Sequence, residues 1–167
     1  LHLRAFSAML RRDGYEVSEI VMPAGEREKS FTRAESIVAG LLRGRHTRSS
    51  LLVAFGGGVV GDVAGFAAAT FRRGIPLVQV PTTLLGQIES AIGGKTAVNH
   101  PLSKNAMGAF HQPRFILSDV SLLRTLPRRE IICGLGEGVK YALLDEAICR
   151  YLERNLNSIL RGKPDCL

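Results

Sequence analysis

Tryptophan is absent from the chain, and aromatic residues make up only 6% of its 167 residues. The net charge is +7, yet proteins that hold single-stranded nucleic acid stack bases on aromatics set among their cations. Here the basic residues fall in scattered pairs, Arg11-Arg12, Arg72-Arg73 and Arg128-Arg129. They read as solvated faces, and no nucleic-acid partner is expected. Cysteine is scarce and odd in number (Cys133, Cys149 and Cys166), with no C-x-x-C spacing. That argues against a disulfide framework and fits the reduced thiols of the cytoplasm. The four histidines, His2, His46, His100 and His111, form no H-x-x-x-H pair, so nothing completes a metal site within this chain. No apolar run is long enough to span a bilayer, and no membrane partner is expected. The first residues lack the basic-then-apolar layout of a signal peptide. They also lack an initiator Met, so the chain is expected to begin inside a longer one.

What is there is an ordinary core-forming composition, 46% hydrophobic with 18 Gly, in a chain of one domain or one domain and part of a second. The basic balance suggests an anionic partner such as a phosphorylated or carboxylated metabolite. Leu3, Phe6 and Leu10 recur at helical spacing until Asp13-Gly14. The alternation in "YEVSEIVM" predicts a strand, followed by a polar loop, "PAGEREKS". Ser30 is the predicted N-cap of a helix running to about Arg43, with Ile37, Val38, Leu41 and Leu42 inward. "SSLLVAFGGG" reads as a strand buried on both faces of a parallel sheet, "DVAGFAAATFRRG" as a small-residue helix, and "IPLVQVPTT" as the next strand. That alternation predicts an α/β fold with a Rossmann-like parallel sheet. "LLGQIESAIGG" looks helical. A long excursion with two short strand-like pieces follows, then two helices, the second ending at "RGKP".

"FGGGVVGD" carries the chemistry most openly. Gly56, Gly58 and Gly61 satisfy G-x-G-x-x-G between a predicted strand and a predicted helix, where backbone N–H groups can meet a pyrophosphate. A tight turn without a ligand is the bland alternative, but three successive glycines exceed what a turn requires. Asp62 would repel phosphate there unless it binds a sugar hydroxyl or the backbone. No acidic residue ends the next strand, which runs into Pro81-Thr82-Thr83. "GGKT" ends like an ATP-binding P-loop, but the required glycine six residues before Lys95 is Glu89. What remains is a flexible Gly93-Gly94 hinge presenting Lys95, with Lys104 and Asn105 as further donors for a phosphate or carboxylate. Glu137 and Lys140 stand at i, i+3 on one helical face, which by itself reads as a surface ion pair.

From Leu51 to about Leu144 the chain resembles the 3-dehydroquinate synthases, members of the sugar phosphate cyclase family. "GGGVVGDVAGF", "FRRG", "PTTLLGQIESAIGGKTAVN", "KNAMGAF", "TLPRRE" and "GEGVK" occur in the family's order and spacing. "GEREKS" resembles its nicotinamide-cofactor loop. The resemblance implies transient oxidation of 3-deoxy-D-arabino-heptulosonate 7-phosphate by NAD, phosphate elimination and closure of a carbocycle, 3-dehydroquinate. This is a lyase step of the shikimate pathway to aromatic amino acids, assisted by a divalent metal, zinc or cobalt. It further implies an NAD-binding domain over residues 1–126, with its first strand lying before Leu1. Residues 127–167 would begin a helical metal and substrate domain.

Residue by residue, the resemblance puts Gly58, Val59, Val60, Gly61 and Asp62 at the NAD pyrophosphate and ribose. Glu26 and Lys29 would stand at the adenosine side. Thr82, Thr83, Lys104, Leu122, Leu123, Arg124 and Thr125 would line the rest of the cofactor groove. Lys95 and Asn105 would hold the substrate phosphate, with Lys95 also near cofactor. Glu89 and Lys140 would stand at the substrate hydroxyls, and Glu137 would be a metal ligand. Arg73 would reach the phosphate pocket of a neighbouring subunit in a homodimer. The resemblance thus replaces the ion-pair reading of Glu137 and Lys140.

Three departures qualify it. The family usually has Asp where Glu89 stands, and one added methylene moves a carboxylate by roughly an ångström. Its "AEVIK" is here Gly136-Glu137-Gly138-Val139-Lys140, and each glycine weakens a helix by about 1 kcal/mol relative to Ala. The family's histidine ligands and carboxylate-binding basic residues would lie beyond this chain, so residues 1–167 alone are expected to be inactive. Two alternatives stay open: a cyclase making a 2-deoxy-scyllo-inosose or valiolone-type ring, and a non-catalytic NAD-binding module.

Overall fold

The computed structural model describes residues 2–162 and Cys166. Helix α1 (His2–Arg12) is followed by an extended segment and a 3-10 turn at Glu26–Glu28. Helix α2 (Phe31–Arg43) starts where its cap predicts, since Ser30 Oγ accepts the Arg33 N–H at 3.2 Å. Strand β1 (Leu52–Gly56), helix α3 (Gly58–Thr70) and strand β2 (Leu77–Pro81) form a parallel β-α-β unit, and the short strand β5 (Phe115–Ile116) extends the sheet in the order β1-β2-β5. Between β2 and β5 the chain makes one π turn, Gly86–Ser90, and an antiparallel hairpin of β3 (Lys95–His100) and β4 (Ser103–Phe110). A 3-10 stretch, Val120–Thr125, leads to α4 (Arg128–Ala142) and α5 (Glu146–Leu160). The α/β expectation with a parallel sheet holds. Among the described residues no helix is long and apolar enough to cross a membrane.

Helix α3 is the hub. Val63 to Ala68 are buried in succession, as expected of a helix apolar on every side. It packs on β1, β2 and β3 at once, and Gly65 lets Thr96 of β3 and Leu77 of β2 come close. This first core also takes Ala34, Ile37 and Leu41 from α2. A second apolar cluster gathers Leu84, Leu123, Ile131, Leu135 and Ile159, drawing on both sides of residue 126.

Several expectations are corrected. Tyr15–Met22 form no strand. No neighbouring strand hydrogen-bonds them among the described residues, and the segment lies across α2, where Gly40 makes room for Ile20. Leu42 faces solvent. The helical reading of "LLGQIESAIGG" holds, but in π form over Gly86–Ser90, closed by Ala91 N–H to Gly86 O at 3.1 Å. The two strand-like pieces of the long excursion form one antiparallel hairpin, β3 and β4, with a register shift between Val98 and His100. Helix α5 ends at Leu160 with Arg161 as cap; the Lys163-Pro164 stop lies outside the described residues.

Candidate functional site

Helix α3 begins immediately beyond β1, and its N-cap, Gly57, has no side chain to accept the first N–H groups. These donors stay available to an anion at the carboxyl end of the sheet, where open α/β sheets bind ligands. Beside them lies a cavity of about 340 Å³ lined by Phe55, Gly56, Thr82, Leu122, Thr125, Leu126, His2 and Leu3. His2 Nε2 and Thr125 Oγ1 are hydrogen-bonded across it at 3.0 Å. The glycines of the turn have a packing reason independent of any ligand. A Cβ on Gly58 would meet Ser90 Oγ at 2.9 Å, and one on Gly61 would meet Gln79 Oε1 at 2.9 Å. Packing therefore accounts for these glycines without a ligand, and the uncapped helix start carries the anion-site reading.

A second cavity, of about 610 Å³, opens between Lys29, α3, the π turn and the hairpin. Its wall includes Lys29, Asp62, Glu89, Ser90, Lys95 and Asn105. Lys29 is only 8% exposed, and its ammonium is paired with the Asp62 carboxylate. The expected conflict between Asp62 and a phosphate is thus resolved, because Lys29 meets the charge. Burial pushes the Asp62 carboxyl above its ordinary value and outweighs the opposing pull of Lys29, while the Glu26 and Glu89 charges add to the upward shift.

The π turn sets the floor. Thr83 Oγ1 accepts the Gly86 N–H at 3.1 Å, and Gln87 Nε2 donates to Pro81 O and Asp119 O at 3.1 and 2.9 Å. The extra residue of a π turn re-aims side chains and recurs at functional sites; here it carries Glu89 and Ser90. Lys95 opens β3 from a pinned support. The Gly94 carbonyl accepts from His111 N–H at 2.7 Å and the Gly93 carbonyl from Gln112 Nε2 at 3.0 Å, so Gly93-Gly94 is a held turn rather than a free hinge. Asn105 has left-handed backbone, φ 54°.

Other anticipated residues lie further out. Glu26 borders the second cavity without lining it. Lys104 and Arg124 are exposed and line neither cavity. Leu123 is 1% exposed, with its side chain in the second apolar cluster. Val59 packs on the first core, and Val60 fills the space below Gly56. Arg73 sits in the exposed left-handed turn after α3, in neither cavity. On α4, Lys140 Nζ donates to Glu137 Oε1 at 2.6 Å. That bond and the charge of Glu137 raise the Lys140 pKa; Glu137 and Lys140 line neither cavity. Asn99 was not anticipated. Its signals in the sequence are that it closes the motif "PTTLLGQIESAIGGKTAVN" and stands shortly before Pro101, where Asn commonly bonds nearby backbone.

Comparisons with known proteins give the family and the fold. The family model for the N-terminal part of 3-dehydroquinate synthase matches residues 19–133. The chain belongs to the 3-dehydroquinate synthase family. A solved relative is the 2-epi-5-epi-valiolone synthase ValA of Streptomyces hygroscopicus subsp. jinggangensis 5008, holding NAD+ and Zn2+. It is 34% identical over 98% of this chain and 46% of its own, with TM-score 0.91. A 2-deoxy-scyllo-inosose synthase with carbaglucose-6-phosphate, NAD+ and Co2+ is 33% identical over 82% of this chain and 37% of its own, with TM-score 0.77. An iron-containing alcohol dehydrogenase of Thermotoga maritima, 18% identical with TM-score 0.73, shares the fold. The chain spans less than half the length of the two cyclases.

Proposed function

We propose that this chain is the cofactor- and phosphate-binding half of a 3-dehydroquinate synthase, acting on 3-deoxy-D-arabino-heptulosonate 7-phosphate in the cytoplasm as part of the shikimate pathway. The reading rests above all on the convergence of Lys29, Asp62, Glu89, Lys95 and Asn105 on one cavity beside an uncapped helix start. In it, residues 1–126 form the NAD-binding domain and residues 127–167 begin a helical domain.

NAD fits the residues present: the open N–H groups at Gly57 and Gly58 suit a pyrophosphate, and the adjoining apolar cavity with two threonine hydroxyls suits a nucleoside. When bound it would take up a hydride from a substrate carbinol and later return it. Glu26, and Lys29 held by Asp62, would face the adenosine side. Lys95 and Asn105 would orient the substrate phosphate and stabilise the charge it carries away on elimination. Glu89 and Lys140 would fix the substrate hydroxyls, and Arg73 would act on the phosphate pocket of a second subunit. A divalent metal is not held by the described residues alone. They contain no group of three potential ligands, and Glu137, bonded to Lys140, offers one carboxylate.

The test is product analysis of the protein, with whatever sequence flanks this chain, given the heptulosonate phosphate, NAD and zinc or cobalt. Formation of 3-dehydroquinate with release of phosphate is the expected result. A protein that binds NAD but makes no dehydroquinate refutes the assignment. It would favour a valiolone- or deoxy-scyllo-inosose-forming cyclase, a second reading supported by Glu89 and by the likeness to the valiolone synthase.

A further inference from the structure

The β3–β4 ladder is interrupted at one place. Val98 pairs with Met107 and His100 with Ser103, so a single β3 residue, Asn99, stands opposite Lys104, Asn105 and Ala106. Such bulges bend a strand and re-aim side chains. Released from the ladder, the Asn99 backbone turns to the other wall of the cavity: its N–H donates to Lys29 O at 2.8 Å, and it bridges Ser30 in parallel fashion. Its side chain works in both directions. Oδ1 accepts the Asn105 N–H at 2.9 Å, while Nδ2 donates to Glu26 Oε1 at 2.9 Å. The amide can point only this way, because turning it over would set its NH2 against an N–H and its oxygen against a carboxylate.

One residue therefore ties the turn bearing Glu26 and Lys29 to the left-handed backbone that presents Asn105. We propose that Asn99 is a positioning residue that couples the two halves of the site, so that occupancy beside Glu26 and Lys29 favours an anion at Asn105 and Lys95, and the reverse. A left-handed non-glycine residue needs support from its surroundings, and Asn99 Oδ1 supplies it. Displacement of the Glu26 turn would tilt the same amide and loosen Asn105. Because binding linkage is reciprocal, an anion at Asn105 must tighten the cofactor side by an equal factor. This inference rests on the reading of the cavity as a site for NAD and phosphate.

The experiment is calorimetric titration with NAD and with inorganic phosphate, each with and without the other, for wild type, Asn99→Asp and Asn99→Ala. In wild type each ligand is expected to tighten the other. Asn99→Asp keeps the acceptor for Asn105 but sets a carboxylate against Glu26. NAD should weaken by about tenfold near neutral pH while phosphate binding to the free protein stays within about twofold. The mutual tightening should disappear. Lowering the pH should restore NAD affinity in this variant as a shared proton returns a donor between the two carboxyls. That recovery is not expected from general loosening of the fold. Asn99→Ala should weaken both ligands, and its Asn105 amide should lose hydrogen-exchange protection that Asn99→Asp retains.

Should wild type bind both ligands while Asn99→Asp matches it in affinity and coupling, or loses both ligands equally, the coupling role is overturned and the site reading stands. Should wild type bind neither ligand, the site reading fails and this proposal with it.

Discussion

The sheet unit and the α4–α5 pair are built by different means. Around α3, small residues let backbones approach. Gly58, Gly61 and Gly65 each lie against a side chain from another element, and Val63, Ala67 and Ala68 are fully buried. Close packing of this kind leaves little room for relaxation and fixes where the N-terminus of α3 points. On α4, by contrast, Gly136 has open space where a Cβ would go and Gly138 only an ordinary contact with Leu152. Leu143 and Leu144, at its end, are 83% and 81% exposed. Glycine is thus a packing requirement throughout the first region, whereas in the second only Gly134 is packed and Gly136 and Gly138 loosen the helix. The side that holds the start of α3 and both cavities is closely packed, and the side that carries Glu137 and Lys140 is loosely held.

The largest effect should come from the closely packed side. Leu77→Ala opens a cavity beneath α3 and is expected to cost about 3 kcal/mol, whereas Leu144→Ala on the other side should cost under about 0.5 kcal/mol. Chemical denaturation of both variants tests this, and equal costs would break the contrast. Next, Lys29→Met leaves the Asp62 carboxylate without its cation. Since Asp62 keeps some contact with water, the loss near neutral pH should be about 2 kcal/mol, below that for a fully buried pair. The pH dependence follows from the raised Asp62 pKa. A group whose folded pKa is raised contributes stability below its unfolded value, about 4, and that stability is lost as pH rises through the folded value. Removing Lys29 raises the folded value further. The variant should therefore lose more stability than wild type as pH climbs from the acid range toward neutrality, which melting temperatures across that range would record. A larger loss on acidification would contradict it.

What could be read in the sequence follows the same division. The parallel β-α-β unit was legible because its signals are local: a continuous apolar strand, a glycine turn, an all-round apolar helix and a second apolar strand. Lys95 and Asn105 were legible from their own chemistry as anion donors, but Lys29 and Glu89 only through family motifs, because these residues have no periodic relation to one another and meet through tertiary packing. Tyr15–Met22 misled because alternation reports which side chains turn inward but says nothing of whether a strand lies alongside to accept hydrogen bonds. Asn99 escaped notice because its importance comes from a bulge, and one displaced pairing leaves no trace in composition. At Gly86–Ser90 the helix was legible but its π form was not, for a similar reason: an i→i+5 closure at Ala91 differs from an α-turn by one residue.

Gly136→Ala should strengthen the looser region. The position is exposed and helical, with no atom within 4 Å of an added Cβ, so the substitution removes backbone freedom from the unfolded chain without a clash. A gain of about 0.5–1 kcal/mol is expected, seen as a higher melting temperature. A loss would mean that the α4 backbone at Gly136 must bend as Glu137 takes up its role. Gly134→Ala, two residues earlier and on a different face of the helix, is the control. There a Cβ would press on Leu84 at 2.7 Å and on the Leu85 backbone nitrogen at 2.8 Å, so the same change of residue should destabilise.

Replacing Leu143 and Leu144 together by Lys should change stability least of all, by under about 0.5 kcal/mol, because neither side chain is buried. Its effect should appear in association. Ile132, Val139, Tyr151 and Leu156 add exposed apolar surface on the same two helices, more than scattered surface leucines would supply. The wild-type chain is expected to self-associate as its concentration rises, and the double variant to do so less, as followed by light scattering at matched concentrations. A monodisperse wild-type monomer would show that these side chains find enough cover within the helical pair. The contrast between the two regions would then reduce to the placement of their glycines.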